Sequence, residues 1–231
     1  MTPALVLPSS LGTTSELWDA NVGYWSATFR LLPYTQTGRT SLQQLGRDLL
    51  GLLDESERVS ICGLSLGGAT AMWVAANAPE RVDRLVLACT SARFGKPRLW
   101  LERAAVVREH GLEPIADDIV GRWFTSAAPA ELVARFRQTL VDTPRDGYAA
   151  CCEALAHWDF RDRLGEIQAP TLVIAAAEDR ATPPEHAELL ANAIPDAKLV
   201  VFPDAAHLAN VEQAEAFSTL VSEHLAPVEV A

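Results

Sequence analysis

The chain has 231 residues, 49% of them hydrophobic and 21% charged, and carries a formal net charge of −11. That length suits one well-buried core, because α/β sheets of this size commonly stay single domains. The acidic balance argues against a nucleic-acid surface, which needs clustered Lys and Arg, and any anionic ligand would require a locally basic pocket.

Other function classes are excluded just as simply. The run Met1–Pro8 has no basic stretch and is too short for a signal peptide. No segment approaches the roughly 18 apolar residues of a membrane span, so no membrane partner and a cytoplasmic setting are expected. Cys62, Cys89, Cys151 and Cys152 show neither metal-ligand spacing nor a disulfide framework. Adjacent Cys151 and Cys152 would form a strained bridge, so all four are expected as thiols, with no metal site.

In chain order, short apolar runs at Ala4–Leu7, Phe29–Tyr34, Val59–Cys62, Arg84–Cys89, Thr171–Ala175 and Lys198–Phe202 read as strands. Their continuous rather than alternating hydrophobicity fits strands buried on both faces, as in a parallel sheet. Leu42–Leu53, Ala69–Asn77, Glu185–Ala193 and Val211–Leu225 carry helical spacing between them. The alternation predicts an α/β fold, a mostly parallel doubly wound sheet with right-handed crossovers. From about Ser91 to Gln168 the rhythm breaks into helical segments alone, Arg98–His110, Pro114–Phe124, Ala130–Leu140 and Arg145–Ala156. Pro129 and Pro144 fall at helix starts. This stretch, about 92–168, is expected as a helical cap on a single domain spanning 1–231. The tail Ala226–Ala231 reads as frayed.

The strongest local signal is Val59-Ser60-Ile61-Cys62-Gly63-Leu64-Ser65-Leu66-Gly67-Gly68: a strand, then Gly-x-Ser-x-Gly, then a helix from near Leu66. Such a turn holds a serine in a strained conformation with its Oγ exposed, and flanking glycines let strand and helix approach closely. Serine needs a base, and the base an orienting acceptor. With a nucleophile elbow of this kind the chain order is Ser, then Asp or Glu, then His. Asp179 follows the fifth apolar run and His207 the sixth, so both fall in loops at the carboxyl edge of the sheet beside Ser65. Glu178 and Asp204 are rival acids; Asp204 reads better as a turn residue. His186 and His224 read as solvent-facing helix positions, His110 as a helix end, and His157 as a packing residue beside Trp158. The N–H of Leu66 and that of Leu11, in the loop Pro8–Thr14, are the expected oxyanion donors.

On these residues the sequence resembles the 3-oxoadipate enol-lactonases of the α/β-hydrolase superfamily, from about Leu5 to Leu225. Its markers are Ser10-Leu11-Gly12-Thr13-Thr14 with Trp18-Asp19, Leu45-Gly46-Arg47-Asp48, Cys62–Gly68, Ala75–Val82 and Ala205–Gln213. Arg122-Trp123-Phe124-Thr125 is similar to the family's cap pattern, which implies that Arg122 and Trp123 lie near the substrate. The sequence departs from the family in lacking a β-hairpin ahead of the first strand. It departs again at Tyr34–Thr40, where the family's Asp-x-Arg-Gly-His-Gly loop is shorter and has lost the aspartate and histidine.

The resemblance implies a small anionic lactone as substrate, opened to 3-oxoadipate through an acyl-enzyme in aromatic catabolism, without a cofactor. Arg122 would hold the carboxylate by paired hydrogen bonds. An esterase or lactonase of the same fold acting on another small ester is the alternative reading. Carbon–carbon bond hydrolysis or haloperoxidase-like chemistry would use the same triad, and a non-catalytic binding protein would not need it. Oligomeric state is not legible.

Overall fold

A computed structural model of the chain describes residues 2–55 and 57–226. The tail expected to fray lies outside them except for Ala226. Six strands form one all-parallel sheet: β1 (Ala4–Pro8), β2 (Arg30–Tyr34), β3 (Val59–Leu64), β4 (Val82–Ala88), β5 (Thr171–Ala176) and β6 (Ala197–Phe202). They are ordered β2-β1-β3-β4-β5-β6, with helices on both sides. Order reverses between β1 and β3, and in open parallel sheets such a switch point opens a crevice at the strand carboxyl ends.

Burial follows position in the sheet. Every residue of β1, β3 and β5 is buried, polar Ser60 and Thr171 included, whereas the edge strands β2 and β6 are only partly covered. Pro33, which lacks a ladder N–H, is tolerated because β2 is an edge. The helices α2 (Leu42–Leu50) and α3 (Leu66–Asn77) pack on each other, and α3 also lies against β1, β3 and β4. α8 (Pro184–Ala193) covers β5 and β6, and α10 (Ala214–Leu225) packs on α1 (Asp19–Trp25). Among the described residues no helix is long and apolar enough to cross a membrane.

Between β4 and β5 the chain forms α4 (Pro97–His110), α5 (Ala116–Val120), α6 (Ala130–Val141) and α7 (Arg145–Ala156). Pro129 and Pro144 are the N-caps of α6 and α7. α4 and α7 form the main contact within this segment.

Three sequence expectations change. α1 went unseen because its buried positions include polar Asn21, which hides the apolar period. The predicted helix Pro114–Phe124 is a 3-10 turn, Glu113–Ile115, followed by α5, so Arg122 and Trp123 lie beyond a helix end. Val211–Leu225 is broken at Gln213, which separates α9 (Ala209–Glu212) from α10.

Candidate active site

The turn after β3 is strained and anchored at once. Ser65 has φ 57° and ψ −114°, a conformation that side chains rarely adopt. Its N–H donates to the Ala88 carbonyl at 2.9 Å, and its own carbonyl accepts from the Thr90 hydroxyl at 2.6 Å and the Ala69 N–H at 3.0 Å. Two glycines are obligatory for steric reasons. A Cβ on Gly63 would lie 2.4 Å from the Gly67 carbonyl oxygen, and one on Gly67 would lie 2.1 Å from that of Pro8.

Asp179 and His207 come together in the loops after β5 and β6. His207 Nδ1 is 2.8 Å from Asp179 Oδ2, and both residues are buried. The same oxygen accepts the Thr182 hydroxyl at 2.7 Å, while Oδ1 accepts the backbone N–H groups of Ala181 and Thr182 at 2.7 and 2.9 Å. Burial alone would raise the pKa of Asp179. The His207 charge and the hydrogen bonds from His207 and Thr182 outweigh it and hold the carboxyl below its ordinary value. Glu178 and Asp204 are exposed, and neither bonds to His207.

Ser65 and His207 line one cavity of about 80 Å³ with Ser10, Leu11, Tyr148 and Thr182. Leu11 lines it and Leu66 follows Ser65 directly, and their backbone N–H groups have no protein acceptor among the described residues. Leu66 opens α3, where the helix field favours negative charge. The Ser10 carbonyl accepts the Thr13 N–H at 3.2 Å and the Thr13 hydroxyl at 3.0 Å. Because the peptide is planar and trans, the Leu11 N–H must then point the opposite way.

The far wall comes from the helices between β4 and β5. Trp123 is buried there, and Arg122 lines the cavity with its Nε held by the Asp118 carbonyl at 3.0 Å. Sequence reasoning missed Arg103 on α4, which also lines the cavity and stacks its guanidinium 4.7 Å from the Trp100 ring centroid. Burial, and then the neighbouring charge of Arg103, lower the pKa of Arg122. Among the described residues neither arginine forms an ion pair with a carboxylate. Tyr148, which lines the same cavity, is buried, which pushes its hydroxyl pKa up. That hydroxyl stays a donor at neutral pH.

Two connections tie this wall to the His207 loop. The Glu212 carboxylate accepts the Ala206 N–H at 2.8 Å on one oxygen, and the N–H and hydroxyl of Thr125, both at 2.8 Å, on the other. The Leu208 N–H donates to the Trp123 carbonyl at 2.9 Å. Buried Asn210 bridges Leu17 and Asn21, linking the loop to α1.

The remaining histidines stay outside the cavity. His110 ends α4. His157 is exposed rather than packed, with Nδ1 2.8 Å from the Glu153 carbonyl. His224 is half-buried with Nε2 3.1 Å from the Leu85 carbonyl, and His186 is half-buried too, where both were expected to face solvent. All four cysteines are free and buried.

The model of the alpha/beta hydrolase fold family matches residues 7–214. The 3-oxoadipate enol-lactonase 2 of Acinetobacter baylyi is 37% identical over 95% of this chain and 87% of its own length. The chain belongs to the 3-oxoadipate enol-lactonase family of α/β-hydrolases. Enol-lactonase 1 of the same organism is 34% identical over the same shares. The crystal structure of the enol-lactonase from Burkholderia xenovorans superposes with a TM-score of 0.93 at 36% identity, covering 97% of this chain and 92% of that one. This enol-lactonase family member therefore shares its fold with that structure over nearly the whole of its own length.

Proposed function

We propose that the chain is a cytoplasmic serine hydrolase that opens 3-oxoadipate enol-lactone to 3-oxoadipate, with residues 92–168 capping a single catalytic domain. One observation carries this reading: a cavity lined by Ser65 and His207 also holds two arginines with no carboxylate partner among the described residues. In a chain of net charge −11, unneutralised guanidinium groups beside a nucleophile call for an anionic substrate. The names of the relatives supply the particular lactone.

In this reading His207 Nε2 takes the Ser65 proton as Oγ attacks the lactone carbonyl. The N–H groups of Leu66 and Leu11 hold the oxyanion, and Asp179 stabilises the imidazolium. Collapse breaks the bond to the ring oxygen, and the enolate leaves easily because its charge is delocalised. His207 returns the proton and the enol becomes a ketone. Water, deprotonated by His207, then attacks the acyl-serine and releases the second carboxylate. Arg122 and Arg103 grip the substrate's free carboxylate throughout, with Trp123 packing beside it.

Arg122→Ala and Arg103→Ala test the recognition half. Losing a charge-assisted hydrogen bond of about 1.5–3 kcal/mol should raise KM for the lactone roughly tenfold or more. A neutral ester such as p-nitrophenyl acetate should change by no more than about threefold. Equal effects on both substrates would remove the arginines from substrate binding. The altered Tyr34–Thr40 loop favours one alternative, another small anionic ester, and a panel of lactones and esters ranked by kcat/KM separates the two.

A further inference from the structure

We infer that Gln36 is a positioning residue for the oxyanion hole, its side-chain amide clamping the loop that bears the Leu11 N–H to the helix that bears the Leu66 N–H. The inference rests on reading those two amides as the oxyanion donors. Gln36 lies in the loop where the sequence departs from its family, and its neighbours Thr35 and Thr37–Thr40 are exposed. Gln36 itself is only 5% exposed. Nothing about a solvated loop requires one polar side chain to turn inward, and burying an amide is unfavourable unless both its ends are bonded.

Both ends are bonded. Gln36 Nε2 donates to the Ser9 carbonyl at 2.6 Å, and its Oε1 accepts the hydroxyl of Thr70. Thr70 is fully buried in the first turns of α3, with its hydroxyl also 3.1 Å from the Leu66 carbonyl. The amide has only one workable orientation. Ser9 offers a carbonyl, which can only accept, so the NH₂ group must face it, and the oxygen is left for Thr70. The opposite side of the Ser9 residue is fixed by its N–H, which donates to the Tyr34 carbonyl at 3.0 Å. The Gly38 N–H donates to the Gly147 carbonyl of α7 at 3.3 Å, which docks the loop itself.

The clamp acts on the geometry of the hole. The Ser9 carbonyl belongs to the peptide immediately before the Ser10–Leu11 peptide, so its plane sets where the Leu11 N–H begins. The loop also touches α3 backbone to backbone, since a Cβ on Gly67 would meet the Pro8 and Ser9 carbonyl oxygens at 2.1 and 3.0 Å. With no side chain between them, the spacing of the two N–H groups depends on this contact. Among the described residues, Gln36 is the side chain that bonds across it.

Two variants and a transition-state mimic test this. Gln36→Leu keeps the bulk and removes both bonds, whereas Gln36→Glu preserves the pattern only while its carboxyl is protonated. Protonated, the carboxyl donates to the Ser9 carbonyl and accepts from Thr70. Ionised, it sets an acceptor against an acceptor. The probe is a small trifluoromethyl ketone bearing a carboxylate, whose hemiketal oxyanion with Ser65 occupies the hole. Gln36→Leu should lower kcat roughly 10- to 100-fold, with KM within about threefold, and weaken the ketone by a matching factor. For Gln36→Glu the ratio of its kcat to that of the wild type should fall steadily as pH rises, which a loss of packing would not produce. The ratio also decides the matter if Gln36→Leu does not fold. Unchanged kcat in a folded Gln36→Leu, unchanged ketone affinity, or a pH-independent ratio would overturn the assignment. If the ketone fails to bind the wild type, the oxyanion hole as read here fails, and the role of Gln36 falls with it.

Discussion

Asp179→Asn is the most informative single substitution, because the hydrogen bonds around the carboxylate dictate how the new amide must sit. Oδ1 accepts two backbone N–H groups, those of Ala181 and Thr182 at 2.7 and 2.9 Å. An NH₂ group at that position would place a donor against two donors that cannot move. The asparagine oxygen must therefore take the Oδ1 position, and its NH₂ must take that of Oδ2. There it faces His207 Nδ1, at a spacing of 2.8 Å in the wild type. Nδ1 then has to accept, so the proton of the neutral ring moves to Nε2, the nitrogen that should receive the Ser65 proton. A base carrying its proton on the reacting nitrogen is disabled while the geometry survives. The corresponding tautomer trap in serine proteases lowers kcat by about 10⁴-fold, or about 5.5 kcal/mol at 1.36 kcal/mol per decade. Steady-state kinetics with the lactone would measure the loss, and ¹⁵N chemical shifts of His207 would report the tautomer. A loss below about tenfold, or a ring still protonated at Nδ1, would refute the reasoning.

Two further outcomes follow from the same geometry. The backbone of Ser65, at φ 57° and ψ −114°, stores strain of about 1–3 kcal/mol that alanine keeps and glycine releases. After the entropic penalty of glycine, about 0.4–1 kcal/mol, central values leave about 1.3 kcal/mol, so Ser65→Gly should melt roughly 3–5 °C above Ser65→Ala; an equal or lower Tm would contradict the strain. The carboxyl of Asp179 is held below its ordinary value by His207 and Thr182 despite burial, so the unfolded chain binds its proton more readily. Its stabilising contribution is complete above the unfolded value, about 3.9, and disappears as pH falls through the folded one. The Tm difference between wild type and Asp179→Asn should therefore shrink as pH is lowered from 6 toward 3, and a constant difference would disprove the linkage.

What the sequence disclosed reflects which constraints are local. The elbow was legible because its demands fall within a few consecutive residues: Gly63 and Gly67 are needed where strand and helix backbones touch. Asp179 and His207 were legible through chain order and their place after apolar runs. Choosing Asp179 over Glu178 needed the direction of each side chain, and one is buried while the other is exposed. Arg103 was not legible. Along α4 it looks no different from Arg98 or Arg108, and only the packing of α4 on α7 turns it to the cavity. Gln36 and Thr90 were hidden for a similar reason, since a polar residue in a loop reads as solvated until its partners 27 and 25 residues away are known. The missed helix α1 makes the same point, because buried Asn21 draws its partners Asn210 and Ser218 from the far end of the chain.

The central claim is that Ser65 opens the lactone ring through an acyl-enzyme. The most direct measurement is turnover of 3-oxoadipate enol-lactone, generated in situ and followed by loss of its ultraviolet absorbance, for the wild type and Ser65→Ala, with rapid-quench mass spectrometry of the protein. The wild type should show kcat/KM above about 10⁴ M⁻¹s⁻¹. A transient mass increase equal to the lactone should appear on the peptide bearing Ser65, and both signals should be lost in Ser65→Ala. Turnover that survives in Ser65→Ala, or a wild type inactive on the lactone, would contradict it.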